Sequence, residues 1–589
     1  MANKSAKYPD RKLWSVQAPL TIGVTGHRDL RDDDLEHLER KVKHIFQKLR
    51  RDYPSTPLVV LSALAEGADR LVARIALRPE SGARLVVPLP MPRALYALDF
   101  ELPGSLEEFD TLLDQADSWF ELSPVDDPEA LLRPGPARDR RYEELATFLV
   151  RNSQILIALW DGVDSRKIGG TSEIVRFQTE GIQGEGEEAL EPPELFPVYH
   201  VLTPRHSHPS PQGEPFRLKE IYPPVFHREG TAAKYYAAVF GNLDEFNRQI
   251  AAGGDALLAQ AAGSKPSVIG SLDESTLSPH EAQALNRYAV ADALAVGRQR
   301  WMFWVQVALH IAVFCWFICL VIFAHYEEHL VWLLGIYVVF LIVSFGIMHY
   351  ARRTKLENQC LDYRALAEGC RVKFFWTVAG IPDSVPDNYL GKQRTELDWT
   401  RNGLRGWETE PACPPADTFS NLRERFDFVL RHWIDEQHRY FAKSAKRDHK
   451  SSHLGERGSS ALLVAAIGIS LVMTGLALIA IKILEPGHEW ACANCPWLGP
   501  FAIAIDALLA AAALYHHFNE RMAYSEHSKQ YRRMESVFDR ASRIMREKLE
   551  VGDAQGVRRT LRILGQEALA ENGDWVLLHR ERPLELPHP

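Results

Sequence analysis

Three glycine-bearing stretches in the first third of the chain have residues suited to holding an anion. They are Gly23-Val-Thr-Gly-His-Arg28, Ser62-Ala-Leu-Ala-Glu-Gly-Ala-Asp69 and Ile168-Gly-Gly-Thr-Ser-Glu173. Gly23 and Gly26 let the backbone approach a ligand closely, so that N–H groups can meet phosphate oxygens. Thr25, His27 and Arg28 add polar or cationic contacts at the same turn. A different chemistry is offered far downstream by Asp506, a carboxylate inside an apolar run. Such a group is costly in a membrane, and either lines a water-filled path or is protonated within a helix bundle. Ser470 and Thr474, with Gly468 and Gly475, give a small polar face in the preceding apolar run.

The elements that must position the three turns read as alternating strands and helices. Ala18–Asp29 starts as a strand and breaks at glycine, and a helix follows over about 34–51. Further strands are read at Leu58–Leu61, Arg84–Leu89, Asn152–Asp161 and Leu195–Leu202. Continuous apolar strands alternating with helices predict a parallel sheet covered on both faces. Each glycine turn then falls at a strand's carboxyl end, where such sheets hold their ligands. The stretch 102–141 reads as a long loop leading into a helix over 142–151. Its Arg133, Arg138, Arg140 and Arg141 either approach the ligand or form a solvated charge run. A helix is expected over 235–250, a flexible linker over 251–279, and a capped helix start near Ser278.

Beyond this the pattern changes. Phe303–Ala324 and Leu330–Met348 carry no formal charge and flank a short polar turn with Glu327 and Glu328. Crossing ~30 Å of hydrocarbon takes ~20 helical residues, so each run fits one crossing. Ala461–Ile481 and Trp497–Tyr515 repeat the arrangement around a turn with Glu485 and Glu489. Basic residues lie on the open side of both hairpins, Arg298, Arg300, Arg352 and Arg353 for the first and Arg447, Lys450, Arg521 and Lys529 for the second. The positive-inside rule then places both termini in the cytoplasm, as a multi-pass inner (cell) membrane protein. The segment 381–457 is expected as a cytoplasmic helical layer, and the C-terminus as a helix ended by Asn572-Gly573 before a short extended tail. This gives 1–250 as sheet domain, 280–380 and 458–550 as hairpins with flanking helices, and 551–589 as tail.

The 589-residue chain is too long for one core, and its formal net charge of -9 argues against general nucleic-acid binding. Its seven cysteines form no regular framework, which suits a reducing compartment for the soluble part. Cys492-x-x-Cys495 lacks a second pair, and both weak zinc binding and a local disulfide stay open there. His206 and His208 have no matching ligand cluster, so no metal site is expected. The opening MANKSAKYPDRK has no apolar core, and no signal peptide is expected.

Two resemblances attach to these residues. Ser62-Ala-Leu-Ala-Glu-Gly-Ala-Asp69 resembles the S-G-x-A-x-G-I-D turn of the DNA-processing protein A family. Gly169-Gly-Thr-Ser-Glu173 resembles part of the P-G-G-x-G-T-x-x-E motif of lonely-guy phosphoribohydrolases, with Ile168 in place of the proline and a shorter glycine spacing. Those families share the Rossmann-like SLOG fold, which also occurs in TRPM channels and is associated with nucleotides and nucleotide-derived ligands. The resemblance covers about residues 18–205. It implies ligand contacts at Gly23, Thr25, Gly26, His27, Arg28, Ser62, Glu66, Gly67, Asp69, Gly169, Gly170, Thr171 and Glu173. Glu173 matches the hydrolases' catalytic glutamate, although a carboxylate at a helix start is also a favourable cap. Leu361-Asp-Tyr-Arg-Ala-Leu-Ala-Glu368 with Phe375-Trp376 resembles SLATT, a two-helix membrane domain found beside SLOG domains in bacterial conflict systems and proposed to form pores.

The resulting expectation is a Rossmann-like α/β sheet domain joined to an all-α membrane region of four crossings in two hairpins, with cytoplasmic helical extensions. Three functions fit it. The leading one is an oligomeric membrane effector in bacterial defence, controlled by a nucleotide-derived ligand such as ADP-ribose or NAD and conducting ions past Asp506, Ser470 and Thr474. The others are a membrane-tethered nucleotide or N-glycosidic hydrolase using Glu173, and an anchored scaffold.

Overall fold

A computed structural model describes residues 11–122, 127–165, 167–182, 193–225, 229–326, 330–389, 397–409, 421–483, 498–582 and 584–586. The strands are β1 (Leu20–Gly26), β2 (Leu58–Leu61), β3 (Arg84–Leu89), β4 (Ser118–Glu121), β5 (Ile155–Trp160), β6 (Val198–Leu202) and β7 (Leu218–Ile221). The helices up to the last strand are α1 (Arg11–Trp14), α2 (Leu35–Asp52), α3 (Ala68–Ala76), α4 (Arg93–Tyr96), α5 (Ser105–Gln115), α6 (Pro136–Asn152) and α7 (Thr171–Glu180). Then come α8 (Glu229–Ala262), α9 (Pro266–Ile269), α10 (Pro279–His325), α11 (Trp332–Arg353), α12 (Leu356–Ala379), α13 (Asp398–Trp407), α14 (Leu422–Val429), α15 (Asp435–Ile483), α16 (Leu498–Met522), α17 (Tyr524–Glu550) and α18 (Ala554–Arg580). Two compact units result. One is Met1–Gly263 with Leu277–Val290 and Pro382–Pro415, the other Ser264–Thr276 with Ala291–Ile381 and Ala416–Pro589.

The first unit is built on a seven-stranded sheet in the order β4-β3-β2-β1-β5-β6-β7. Every neighbouring pair is parallel except β6 with β7. This is the expected Rossmann-like arrangement. The inner strands are almost wholly buried because helices cover both faces. The edge strands β4 and β7 are not expected from the sequence. At four residues each, with no side chain fully buried, Ser118-Trp-Phe-Glu121 and Leu218-Lys-Glu-Ile221 carry little apolar signal. The loop expected over 102–141 is likewise corrected, since it holds α5, β4 and the first turn of α6. Gly104 and Gly135, both at positive φ, start those helices.

Two more expectations change in this unit. The linker over 251–279 is largely helical, with α8 running to Ala262 past a kink at Gly254. Its alanines favour helix, which outweighs the glycines. The segment 381–457 divides, and Pro382–Pro415 belongs to the sheet unit. Trp399 and Trp407 of α13 bury against Phe246 of α8, with ring centroids 5.8 and 6.2 Å apart. Trp407 Nε1 donates to the Gln17 carbonyl (2.8 Å) and Gln154 Nε2 to the Asn402 carbonyl (2.6 Å). Gly406 lets α13 lie on Pro19, whose carbonyl oxygen would be 2.7 Å from a Cβ. Gln17 and Pro19 precede β1 and Gln154 precedes β5, so α13 closes the amino edge of the sheet. The expected cap at Ser278 is present as a reciprocal pair. Ser278 Oγ accepts from the Glu281 N–H (3.2 Å) and Glu281 Oε2 accepts from the Ser278 N–H (2.8 Å).

The second unit is helical. It holds four helices long and apolar enough to cross a membrane, within Pro279–His325, Trp332–Ala379, Leu422–Ile479 and Gly499–Glu550. Their apolar windows have mean hydropathy 2.7, 2.1, 2.5 and 1.5, yet only 22%, 11%, 11% and 17% of each window is buried. Val339, Ile342, Val464 and Leu471 are 57–68% exposed. An apolar surface of this extent is untenable in water and suits hydrocarbon. α15 and α16 are in close contact at Gly455 with Asn519 and at Gly458 with Tyr515, where an added Cβ would lie 2.4 and 2.6 Å from the facing side chain. Gly468 and Gly475, the expected packing glycines, face open space.

Outside the apolar runs an aromatic core forms. Phe375 and Trp433 stack at 5.1 Å and 2°, flanked by Phe428 and Phe538. The Trp376 indole lies on Gly565, and its Nε1 donates to the Leu561 carbonyl (3.2 Å). α18 continues to Arg580, so the helix end expected at Asn572-Gly573 is corrected. Both residues are buried inside α18, and burial of its apolar face outweighs the roughly 1 kcal/mol helix cost of glycine. The turn 484–497, with Cys492 and Cys495, lies outside the described residues.

Each hairpin leaves its second apolar helix through one left-handed residue, Lys355 (φ +48) between α11 and α12 and Ala523 (φ +51) between α16 and α17. A side chain there costs about 1–2 kcal/mol. Lys355 is exposed. Lys355→Gly should therefore raise the unfolding midpoint of the detergent-solubilised protein, by roughly 1 kcal/mol, and Lys355→Val should lower it.

Candidate functional site

β1 is the point at which the strand order reverses, with β2 on one side and β5 on the other. The three glycine turns leave the carboxyl ends of these three strands. Gly67 (φ +80) docks the second turn on the first, because a Cβ there would sit 2.5 Å from the His27 and Arg28 carbonyl oxygens. The Ala68 N–H donates to the His27 carbonyl (3.0 Å). Gly26 admits Ala68 and the Leu159 carbonyl in the same way. Gly169 (φ +66) packs the third turn on Tyr142, whose Oη accepts from Arg28 Nη2 (3.2 Å) and donates to Asp99. The three turns thus gather round Arg28.

Most of the expected contact residues build this edge. Gly23 is a strand position packed on Ser153, and Thr25 is buried. Glu66 accepts from the Glu101 and Leu102 N–H groups at 3.1 and 3.0 Å, which fastens the loop after α4. Glu173 Oε2 accepts from the Gly169 N–H (2.7 Å), so it closes its own turn, while Oε1 meets Arg176 at 3.3 Å. Arg138 is buried and pairs with Asp99 (2.5 Å), and Arg141 pairs with Glu144 (2.8 Å). The solvent-facing part of the edge is the exposed Arg28, with half-buried His27, Gly170 and Thr171.

Ser62 and Asp69 are buried together, with Ser62 Oγ 3.4 Å from Asp69 Oδ2. Burial pushes the Asp69 carboxyl up to about 7, against the pull of Arg28 and of hydrogen bonds from Ala65 and Ser62. The neutral carboxyl is therefore a normal state of this edge near pH 7.

Beside it lies a group that the sequence reading passes over. The fully buried Asp161 carboxylate, just past β5, accepts from Arg205 Nε (2.9 Å) and the Val163 N–H (3.0 Å). His208 Nδ1 lies 3.2 Å from it and His27 Nε2 3.1 Å. Burial pushes the His27 imidazolium down, partly countered by Asp161. Asp161 stays below the usual carboxylate range because Val163, His27 and His208 outweigh its burial. An acidic residue directly after an apolar strand, with a cationic Arg205-His-Ser-His208 run after the next strand, was the available signal. Among the described residues no group of three His, Cys, Asp or Glu side chains is placed to hold a metal ion.

In the second unit Asp506 is half-buried on α16. Ser470 Oγ and Thr474 Oγ1 each donate to the carbonyl four residues back, Ala466 and Ser470, at 2.8 Å.

Comparison with protein-family models and with curated proteins finds no match to this chain. Fold and site define a class instead, a Rossmann-like sheet unit with an exposed arginine at its switch point, on a chain with four membrane-length apolar helices.

Asp69 gives a pH test. Its folded-state value near 7 lies above the unfolded value near 4, so its favourable contribution is complete below about pH 4 and lost as pH rises through 7. Asp69→Asn should leave stability nearly unchanged at pH 4 and raise it by on the order of 3 kcal/mol at pH 8. Denaturant midpoints of the full chain at the two pH values measure this, and an equal shift at both would refute the buried-acid assignment.

Proposed function

We propose that this chain is a ligand-controlled membrane protein. Its sheet unit binds a nucleotide-derived anion, of the ADP-ribose or NAD kind, at the β1–β2–β5 edge. Its helical unit is an oligomeric bundle in the inner membrane that conducts ions in a defence response. The observation that carries the reading is Arg28, exposed at the switch point and held by Tyr142 amid three turns. Ligands of parallel sheets sit at this edge, and a guanidinium suits phosphate. Four exposed apolar helices support the membrane part. Differential affinity for two states of the chain is what lets a ligand move the bundle. Asp506 on α16 is the group proposed to face the ion path.

The rival hydrolase reading rests on Glu173. Its hydrogen bond to the Gly169 N–H supports a turn-closing role and the sensor reading.

Calorimetry on the detergent-solubilised full chain should detect ADP-ribose or NAD binding, weakened about tenfold or more by Arg28→Ala. Unchanged affinity in Arg28→Ala would remove the crevice assignment. Nucleobase release abolished by Glu173→Gln would replace sensing by hydrolysis. Asp506→Asn should reduce cation preference in vesicle flux, and an unchanged preference would take Asp506 out of the path.

A further inference from the structure

A second cationic site lies on the sheet unit, on the side of α2 that faces the β6–β7 connection. A cleft of about 740 Å³ is bounded by His37, Arg40, Lys41 and His44 of α2 and by the stretch Glu214–Leu218. The four α2 residues recur at the i, i+3, i+4, i+7 spacing that puts side chains on one helix face. Arg217 faces them from the other wall. Three permanent cations therefore share the cleft with a single carboxylate, Glu214, in a chain whose formal net charge is -9. Lys41 and Arg217 form no ion pair among the described residues, whereas Lys48, one turn beyond the cleft on α2, is paired with Glu220.

The second wall is held rigidly. Phe216 has φ +62, a conformation that costs a non-glycine residue about 1–2 kcal/mol and marks functional segments more often than others. It is kept there by backbone bonds to β6, from the Phe216 N–H to the Leu202 carbonyl (2.8 Å) and from the Leu202 N–H to the Arg217 carbonyl (3.1 Å). Its ring stacks on His37, with centroids 5.0 Å apart and planes at 14°. This contact fixes the separation of the two cationic walls. The cleft shares no lining residue with the crevice around Arg28.

We propose that this cleft binds a phosphate-rich anion, with Lys41, Arg40 and Arg217 as its charge partners. Two sources offer that chemistry, a soluble polyphosphate and the phosphomonoester headgroup of an anionic lipid. The proposal does not depend on the crevice at β1. The test is therefore made in full-length protein carrying Arg28→Ala, in which that crevice has lost its cation.

Inorganic triphosphate and dioctanoyl phosphatidate are titrated separately into this protein in neutral detergent at low salt. At least one should bind, and affinity should fall steeply with added salt. Adding Lys41→Glu and Arg217→Glu should weaken it at least tenfold, whereas Lys41→Arg should retain it. Binding of triphosphate alone assigns a soluble ligand. Binding of phosphatidate alone assigns a lipid headgroup, and binding of both assigns the phosphate group itself. Binding of neither, or binding unaffected by the Glu substitutions, overturns the proposal. Lys41 and Arg217 make no ion pair among the described residues, so an unchanged unfolding midpoint is expected for the Glu variants and keeps loss of binding separate from loss of structure.

Discussion

The sheet unit depends on two tryptophans that the chain supplies only after its first pair of apolar helices. Trp399 and Trp407 cover Phe246 at the amino edge of the sheet, and α13 reaches the backbone just before β1 and β5. Burying two indoles of this size is worth several kcal/mol. Arg401 and Arg405, both buried, share the Glu194 carboxylate at 2.5 and 2.7 Å, and Arg405 also meets Asp387 at 2.8 Å. Removing α13 would strand Gln154 and expose the ends of the central strands. The chain therefore leaves the sheet unit within α10, forms two apolar helices and α12, and returns to complete the same unit.

This constraint bears on control. β1 has its carboxyl end in the Arg28 crevice and its amino end under α13, where Gly406 rests on Pro19. In the proposed function, a ligand that shifts the three glycine turns would act on the strand whose other end meets a segment following the first pair of apolar helices. The α10 start is tied to the same place, since Arg287 donates to the Ser15 and Trp407 carbonyls at 3.1 Å. Both chain segments that flank the first hairpin are thus anchored at the amino edge of the sheet. Packed elements of this kind switch between discrete arrangements rather than deform continuously.

The inner strands, the helix over 34–51, the Ser278 cap and the four apolar helices were legible because each rests on a local pattern of burial or capping. α13 falls in a stretch expected only as part of a helical layer, and its place in the sheet unit was not legible, since nothing local marks a partner about 390 residues away at Gln17. β4 and β7 escaped because these edge strands are short and none of their side chains is fully buried. At the site, spacing placed Gly26, Gly67, Gly169 and Gly170 correctly at or beyond strand ends, whereas Gly23 lies inside β1. Spacing could not tell a glycine that serves a ligand from one that serves packing, and Gly23 and Gly67 both face protein atoms. Asp161 was passed over because its partners come from two stretches far apart in the chain, His27 and the run holding Arg205 and His208.

The membrane part rests on a solvent argument, in which exposed apolar helices require hydrocarbon, and the sheet part on a cation at a switch point. In the proposed function, what joins them is transmission of a binding event. Ion flux from vesicles reconstituted with the full chain, before and after ADP-ribose or NAD is given to both sides, measures it directly. A ligand that binds by calorimetry should change the flux at the same concentrations. A ligand that binds and leaves the flux at its ligand-free level would contradict the account.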